Sequence, residues 1–299
     1  MNRIAGGLIG HAIGDAFGFP YEGSQRAPKA VPPSSPFPSD DTALTICTAR
    51  SLCERGEDLE DLARRFVRWL RFGECTPDGR AVGVGRTTLR AIERLDVGMP
   101  PDMAGGRDER DNGNGSLMRM LPLAYYLLGE SGERILDVVR RYSSITHAHP
   151  RAILGSHLYV LMVMGIYRYG EPVEAYDWAR EEVLRLWEGH PELIHYRRIL
   201  EGRIWDLPEE EIISSGYVVS SLEAALWSFM RAEDFQESVV IALNLGGDTD
   251  TIAALSGGLA GTLHGVEGIP EGWIALLPRG VVGELSDLAR CLSLLKSSP

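Results

Sequence analysis

Long apolar runs are missing from this 299-residue sequence. No stretch of about 18 or more uncharged apolar residues occurs, which excludes a helix built to cross a membrane. The longest candidate, residues 154–167, is short and carries His157 and two glycines. Basic charge is also in short supply. Thirty Lys and Arg stand against 42 Asp and Glu, a formal net charge of −12. A surface that coats nucleic acid would cluster its cations to meet phosphates, so the balance argues against that class. A nucleotide-sized ligand stays open, because local carboxylates can hold a divalent cation. The four cysteines (Cys47, Cys53, Cys75, Cys291) show no CxxC or zinc spacing. That predicts free thiols in a reducing cytoplasm. Strand-like alternation is nearly absent, and no Val/Ile-rich pair flanks an Asn-Gly turn. Linkers of domain-separating length and fixed-period repeats are missing too, which predicts one domain over residues 1–299. The start (Met1, Asn2, Arg3, then Ile4 to Gly10) superficially suggests a leader. Asp15 and the glycine spacing run straight through the place where cleavage would fall.

Hydrophobic residues make up 44% and charged residues 24%, with 34 Gly and 17 Pro. These are ordinary values for a globular chain long enough to bury a sizeable core. Helical periodicity runs from end to end, which predicts an all-α architecture. Ile4, Leu8, Ile9, Ala12, Ile13 and Ala16 recur at helical spacing. On the same helix Gly10, Gly14 and Gly18 form an i, i+4 ridge. Glycine costs a helix about 1 kcal/mol relative to Ala. Three in register therefore predict that another helix or a ligand approaches this backbone closely. Further helical runs are expected at 42–54, 59–70, 85–95, 117–128, 134–143, 151–169, 173–187, 193–202, 218–231, 235–243, 251–264 and 281–294. Trp69, Trp178, Trp187 and Trp227 lie in their apolar stripes as core residues. Residues 28–38, 104–115 and 205–216 are irregular.

Two acidic clusters precede apolar helices: Ser39-Asp40-Asp41-Thr42 and Gly246-Gly247-Asp248-Thr249-Asp250-Thr251. Capping accounts for one Asp, Ser or Thr at each helix start. Adjacent carboxylates exceed that need, and they repel each other unless a cation compensates. Hard divalent ions take such oxygen ligands. If the two clusters meet in space, a two-metal site is expected. A third segment, Gly113-Asn114-Gly115-Ser116, is either a loop offering N–H groups to phosphate or an ordinary turn. A fourth, Thr146-His147-Ala148-His149, places a histidine beside a cleft or in a structural turn. Glu22, alone, reads as a solvated carboxylate. No Gly-x-Ser-x-Gly elbow, phosphate-binding P-loop or dinucleotide fingerprint occurs.

Taken jointly, these segments resemble the ADP-ribosylglycohydrolase family, the group typified by dinitrogenase-reductase-activating glycohydrolase. The matching pieces come in the family's order. They are Gly14-Asp15-Ala16-Phe17-Gly18 with Tyr21-Glu22, Ser39 to Thr42, Gly113 to Arg119, Thr146-His147 and Asn244 to Thr251. Gly216-Tyr217-Val218-Val219, followed by Glu223 to Trp227, also matches. The resemblance spans about residues 4 to 265. It implies a compact, orthogonal all-α bundle with a binuclear metal cleft. It further implies that Ser39, Asp40 and Asp41 bind one Mg²⁺ or Mn²⁺, Asp248 and Thr251 a second, and Asp250 both. Ser39 stands where the family more often has Thr, and the hydroxyl is retained.

By the same resemblance Glu22 is the family's mobile acid near the metals. Asn114, Gly115 and Ser116 would hold the diphosphate and distal ribose, His147 a ribose or phosphate edge, and Tyr217 the adenosine. Glu22, Asp41, Asp111 and Asp250 are the expected catalytic carboxylates, with Asp111 placed to pair with a guanidinium. Asp111 also reads as a loop-shaping turn residue. The implied activity is metal-dependent hydrolysis of the bond joining ADP-ribose to an acceptor, favouring ADP-ribosyl-arginine on protein over ADP-ribosyl-serine or O-acetyl-ADP-ribose. The alternatives are a non-catalytic ADP-ribose binder, an immunity protein that blocks an ADP-ribosyltransferase, and a phosphohydrolase that cuts the diphosphate.

Overall fold

The computed structural model describes residues 2–295. Its fifteen α-helices begin with α1 (Asn2–Gly18), α2 (Asp40–Arg55), α3 (Leu59–Phe72), α4 (Arg86–Asp96) and α5 (Pro101–Ala104). Next come α6 (Leu121–Tyr126), α7 (Gly132–Ser144), α8 (Pro150–Tyr169), α9 (Pro172–Leu186) and α10 (Arg197–Glu201). The last five are α11 (Val218–Arg231), α12 (Phe235–Asn244), α13 (Thr249–His264), α14 (Glu271–Ile274) and α15 (Arg279–Leu295). No strand forms among the described residues. Two isolated bridge pairs, Gly106 with His147 and Gly113 with Tyr217, stitch loops together.

Local rules explain most helix ends. Ser39, Asp58, Ser131 and Asp234 cap α2, α3, α7 and α12 with side-chain bonds to backbone N–H groups. Gly73 and Gly170 close α3 and α8 in the left-handed region. On α3 the residues Leu62, Phe66 and Trp69 face inward at helical spacing, while Arg64, Arg68 and Arg71 stay out. Each such apolar side chain contributes about 1.5–3 kcal/mol when fully buried. Helix α8 is buried from Arg151 to Ile166 and runs through one contiguous core.

The glycine ridge of α1 meets the backbone of α13, as its spacing predicts. A Cβ on Gly10 would lie 2.4 Å from the Gly257 carbonyl oxygen, and one on Gly14 1.9 Å from that of Ala253. At the end of α1, a Cβ on Gly18 would lie 2.5 Å from the Asp250 backbone. The two helices run antiparallel at backbone contact. That contact brings the C-terminal end of α1, with Asp15, against the N-terminal end of α13, with Asp250.

Three expectations change in the structure. The run 117–128 splits into a 3₁₀ turn (Leu117–Arg119) and α6, because Pro122 has no N–H to continue a helix and starts a fresh one. The run 193–202 likewise divides into a 3₁₀ segment (Pro191–Tyr196) and α10. Cys53 and Cys291 are not free thiols. Packing of α15 on α2 sets their Cα atoms 6.1 Å apart, and they form a disulfide across 238 residues of sequence. Cys47 and Cys75 are free, with their sulfurs 3.1 Å apart.

Candidate active site

The site is built from helix ends. The start of α2 carries Ser39, Asp40 and Asp41, all buried. Beneath them lies Asp15, fully buried near the end of α1. Its carboxylate accepts from the Ser39 N–H at 2.9 Å and Oγ at 2.7 Å, and from the Thr42 N–H at 2.9 Å and Oγ1 at 2.5 Å. Asp15 therefore locks the first turn of α2 onto α1.

At the other cluster, Gly246 and Gly247 both take positive φ, 69° and 67°. The turn they make exchanges backbone hydrogen bonds with the chain after Glu22: Gly23 N–H to Gly247 O at 2.7 Å and Gly247 N–H to Ser24 O at 2.9 Å. A Cβ on Gly246 would sit 2.6 Å from Ser24 O. The glycine pair thus pins the Glu22 loop beside Asp248 and Asp250. Asp248 occupies the N-cap position of α13 but makes no capping bond. Its Oδ2 instead accepts from Asn114 Nδ2 at 2.5 Å. Capping alone does not explain this second cluster.

The two clusters meet. Carboxylate oxygens of Asp15, Asp41 and Asp250 lie within 4.8 Å of one another, and so do those of Glu22, Asp248 and Asp250. Asp250 belongs to both sets. Asp40 lines the same cleft but falls outside both triads. Thr251 Oγ1 faces Asp41 Oδ2 at 3.4 Å.

Burial and crowding push these acids toward their neutral forms. Asp15 is pushed up to about 7 by burial, against the pull of its hydrogen bonds. Asp250 is pushed up to about 7 by burial and by Asp248. Asp40 and Asp41 rise well above the usual carboxylate range through burial and neighbouring carboxylates. Glu22, nearer solvent, is raised by burial and then by Asp250. Asp41 Oδ1 is buried with no hydrogen-bond partner. A buried carboxylate with an unpartnered oxygen, grouped with two other carboxylates, offers the oxygen donors that a hard divalent cation takes, so the residues fit such an ion.

The cleft has a volume of about 400 Å³. Glu22, Asp40, Asp41, Asp248, Asp250 and Thr251 line one part of it, with Gly113, Asn114, Gly115 and His147 in another. His147 is 1% exposed, and its Nδ1 meets Thr146 Oγ1 at 3.0 Å. Of the glycine loop's donors, the Asn114 N–H is already taken by Gly216 O.

Several expected residues lie elsewhere. Ser39 Oγ is committed to Asp15, although its oxygen still faces the acids. Ser116 is fully buried and bonds to Ser143 and Ser156, away from the cleft lining. Asp111 does not line the cleft. Its carboxylate accepts from the Asp108 N–H at 3.1 Å in a capping box and from Thr87 Oγ1 at 3.4 Å. Tyr217 is 37% exposed beside the cleft, outside its lining, near Arg151. His149 caps α8 through the Arg151 N–H, and Arg151 pairs with Glu192 at 2.6 Å and Glu109 at 3.0 Å. Glu109, His149 and Glu192 lie close enough together to hold an ion, but Arg151 already supplies their countercharge.

The cleft also contains residues that sequence reasoning missed. Gly83, Gly85, Arg86, Thr87, Thr88 and Arg110 line it. A Cβ on Gly83 would come 2.5 Å from Asp40 Oδ1. The Gly-x-Gly just before α4 was the available signal. Asp15 was visible only as part of a motif, and its four bonds belong to tertiary structure.

Fold and cleft together define an all-α protein with two carboxylate groupings that share one aspartate and can hold divalent ions. The profile described as ADP-ribosylglycohydrolase matches residues 1–298, and the chain belongs to that family. It is 31% identical over 287 residues to ADP-ribosylarginine hydrolase Tri1 of Pseudomonas putida (strain GB-1), covering 92% of this chain and 74% of the relative. It is 30% identical to ADP-ribosyl-[dinitrogen reductase] glycohydrolase of Rhodospirillum rubrum, covering 95% of this chain and 93% of the relative. A solved structure titled ADP-ribosylglycohydrolase-related protein complex superposes with a TM-score of 0.78 at 33% identity, covering 98% of both chains.

Proposed function

We propose that this protein hydrolyses the bond between the anomeric carbon of ADP-ribose and an arginine nitrogen of a modified protein, using two divalent cations, Mg²⁺ or Mn²⁺. The observation that carries the reading is the meeting of the two acidic helix starts around Asp250 in one cleft. Asp41 and Asp250, with Asp40 and Ser39 beside them, would hold one ion. Asp248, Asp250 and Thr251 would hold the other. Such ions supply charge for gripping ribose hydroxyls and for lowering the pKa of a bound water.

The chain's own groups complete the arrangement. Glu22, raised above its ordinary range and on a loop at the cleft edge, takes the proton of the attacking water. The water oxygen bonds to the anomeric carbon, the carbon–nitrogen bond breaks, and its electron pair leaves with the guanidine. The surrounding carboxylates stabilise positive charge developing on the ribose ring. Asn114, Gly115 and His147 orient the ADP-ribosyl group. An arginine acceptor is supported by the name of the Pseudomonas putida relative, an ADP-ribosylarginine hydrolase.

The test is product analysis on ADP-ribosylated arginine, ADP-ribosylated serine and O-acetyl-ADP-ribose side by side, with metal and with chelator. The expected result is intact ADP-ribose, fastest from arginine and lost with chelator. AMP as product would turn the reading to a phosphohydrolase. Tight binding of ADP-ribose without turnover of any substrate would turn it to a binder.

A further inference from the structure

Behind His147 one arrangement of protons leaves the buried Thr146 hydroxyl fully partnered. Arg119 is fully buried and has no carboxylate partner among the described residues. Its guanidinium lies 4.8 Å from the Phe66 ring centre. Nη2 donates to Tyr142 O and to Thr146 Oγ1, both at 2.9 Å, while Nε and Nη1 have no partner. Burial lowers Arg119 to about 9, so it keeps its charge at neutral pH.

A guanidinium can only donate. Thr146 Oγ1 therefore accepts from Arg119, and its own buried proton finds a partner only by donating to the remaining neighbour, His147 Nδ1, at 3.0 Å; accepting from an Nδ1–H as well would leave that proton unpaired. A neutral imidazole that accepts at Nδ1 carries its proton on Nε2. Burial and the Arg119 charge hold His147 down at about 3, so the ring is neutral. The Nε2 side faces the glycine loop: a Cβ on Gly113 would lie 3.4 Å from it, and one on Gly115 3.5 Å. Nothing in the chain's order announces this relay, since Arg119 lies 27 residues before Thr146.

We propose that Arg119 and Thr146 are positioning residues that fix His147 as the Nε2–H tautomer, so that it offers the cleft a neutral hydrogen-bond donor for an oxygen of the ADP-ribosyl group. The tautomer follows from the fold alone, and its use on substrate rests on the proposed function.

Nitrogen-15 spectra of histidine-labelled full-length protein, with His147 assigned through His147→Gln, read the tautomer directly. At pH 7 the parent is expected to show a neutral ring protonated at Nε2. Thr146→Val, nearly isosteric, should lose that single pattern and raise KM for ADP-ribosyl-arginine about tenfold, with kcat changed less than threefold. Thr146→Ser, which keeps the hydroxyl, should restore both. A parent ring protonated at Nδ1, or charged, overturns the relay. So does a Val variant with an unchanged spectrum. A changed spectrum with unchanged KM overturns the substrate contact. A parent that turns over no ADP-ribosylated substrate sinks the functional reading instead, while the spectra still decide the tautomer.

Discussion

Asp15 shows how far a residue's role can lie from its sequence neighbours. Four donors from Ser39 and Thr42 converge on it, and its own oxygens stand within reach of Asp41 and Asp250. Asp15→Asn replaces one acceptor oxygen with a donor aimed at donors. The expected outcome is metal affinity weakened by about 10–100-fold with the helical content retained, read by calorimetric titration and circular dichroism. Asp250→Asn should be harsher, because both carboxylate groupings lose the same member. We expect a loss of at least about a thousandfold in kcat, and near-parental activity would refute the shared-ligand assignment. The paired acids, the glycine loop and His147 were all readable as short motifs, since each is local in the chain. Ser116 and Asp111 were less so. Both sit in the right loop, but their side chains are claimed by Ser143 and Ser156 and by the Asp108 N–H, which no spacing reveals.

Between elements, the α1–α13 contact decides whether the site exists. Its legibility came from the glycine ridge, which could be read as a close approach but not as a partner: the facing residues lie some 240 positions away. Gly14→Ala places a methyl 1.9 Å from the Ala253 carbonyl oxygen, backbone that cannot step aside. Overpacking of this kind costs roughly 1–3 kcal/mol or more. The matched control is Gly283→Ala on α15, where an added Cβ meets nothing within 4 Å. That change should stabilise the protein by up to about 1 kcal/mol through helix propensity. Urea unfolding of the two variants should therefore move in opposite directions, and the same sign for both would contradict the packing described. Of the helical runs that failed to match, 117–128 breaks at Pro122, while 193–202 divides between Tyr196 and Arg197, well past Pro191. In 117–128 the periodicity was sound, and the missing N–H decided the boundary.

For the molecule as a whole, the crowded acids couple stability to pH. Asp15 and Asp250 are raised to about 7 in the folded protein, above the ordinary value of an unfolded Asp. The metal-free fold thus binds protons more tightly than the unfolded chain does. Its stability from these groups is full at the acid end and declines as pH climbs toward and past 7. The buried neutral histidines His11, His147 and His157 work in the opposite sense, but only up to the ordinary histidine value near 6.5, so Tm of chelated protein is expected to fall between pH 6.5 and pH 8. Added Mg²⁺ or Mn²⁺ should raise Tm more at pH 8 than at pH 5.5, because the ligands need no deprotonation there. A Tm of chelated protein that rises over this range would contradict the burial of these carboxylates. Reduction of Cys53–Cys291 removes a cross-link closing 238 residues, which chain entropy values at roughly 5 kcal/mol, so a reductant should lower Tm at any pH.

The antiparallel seam between the first helix and the thirteenth has a further bearing on how the protein comes into being. A nascent polypeptide emerging from the ribosome carries α1 with one glycine-lined side bare until residues 249–264 have been made. During that interval nothing holds the future ligands together, so no catalytic centre can form on a half-made chain. Competence arrives late and all at once, and a truncated translation product ending before α13 has neither a settled α1 nor a place for an ion.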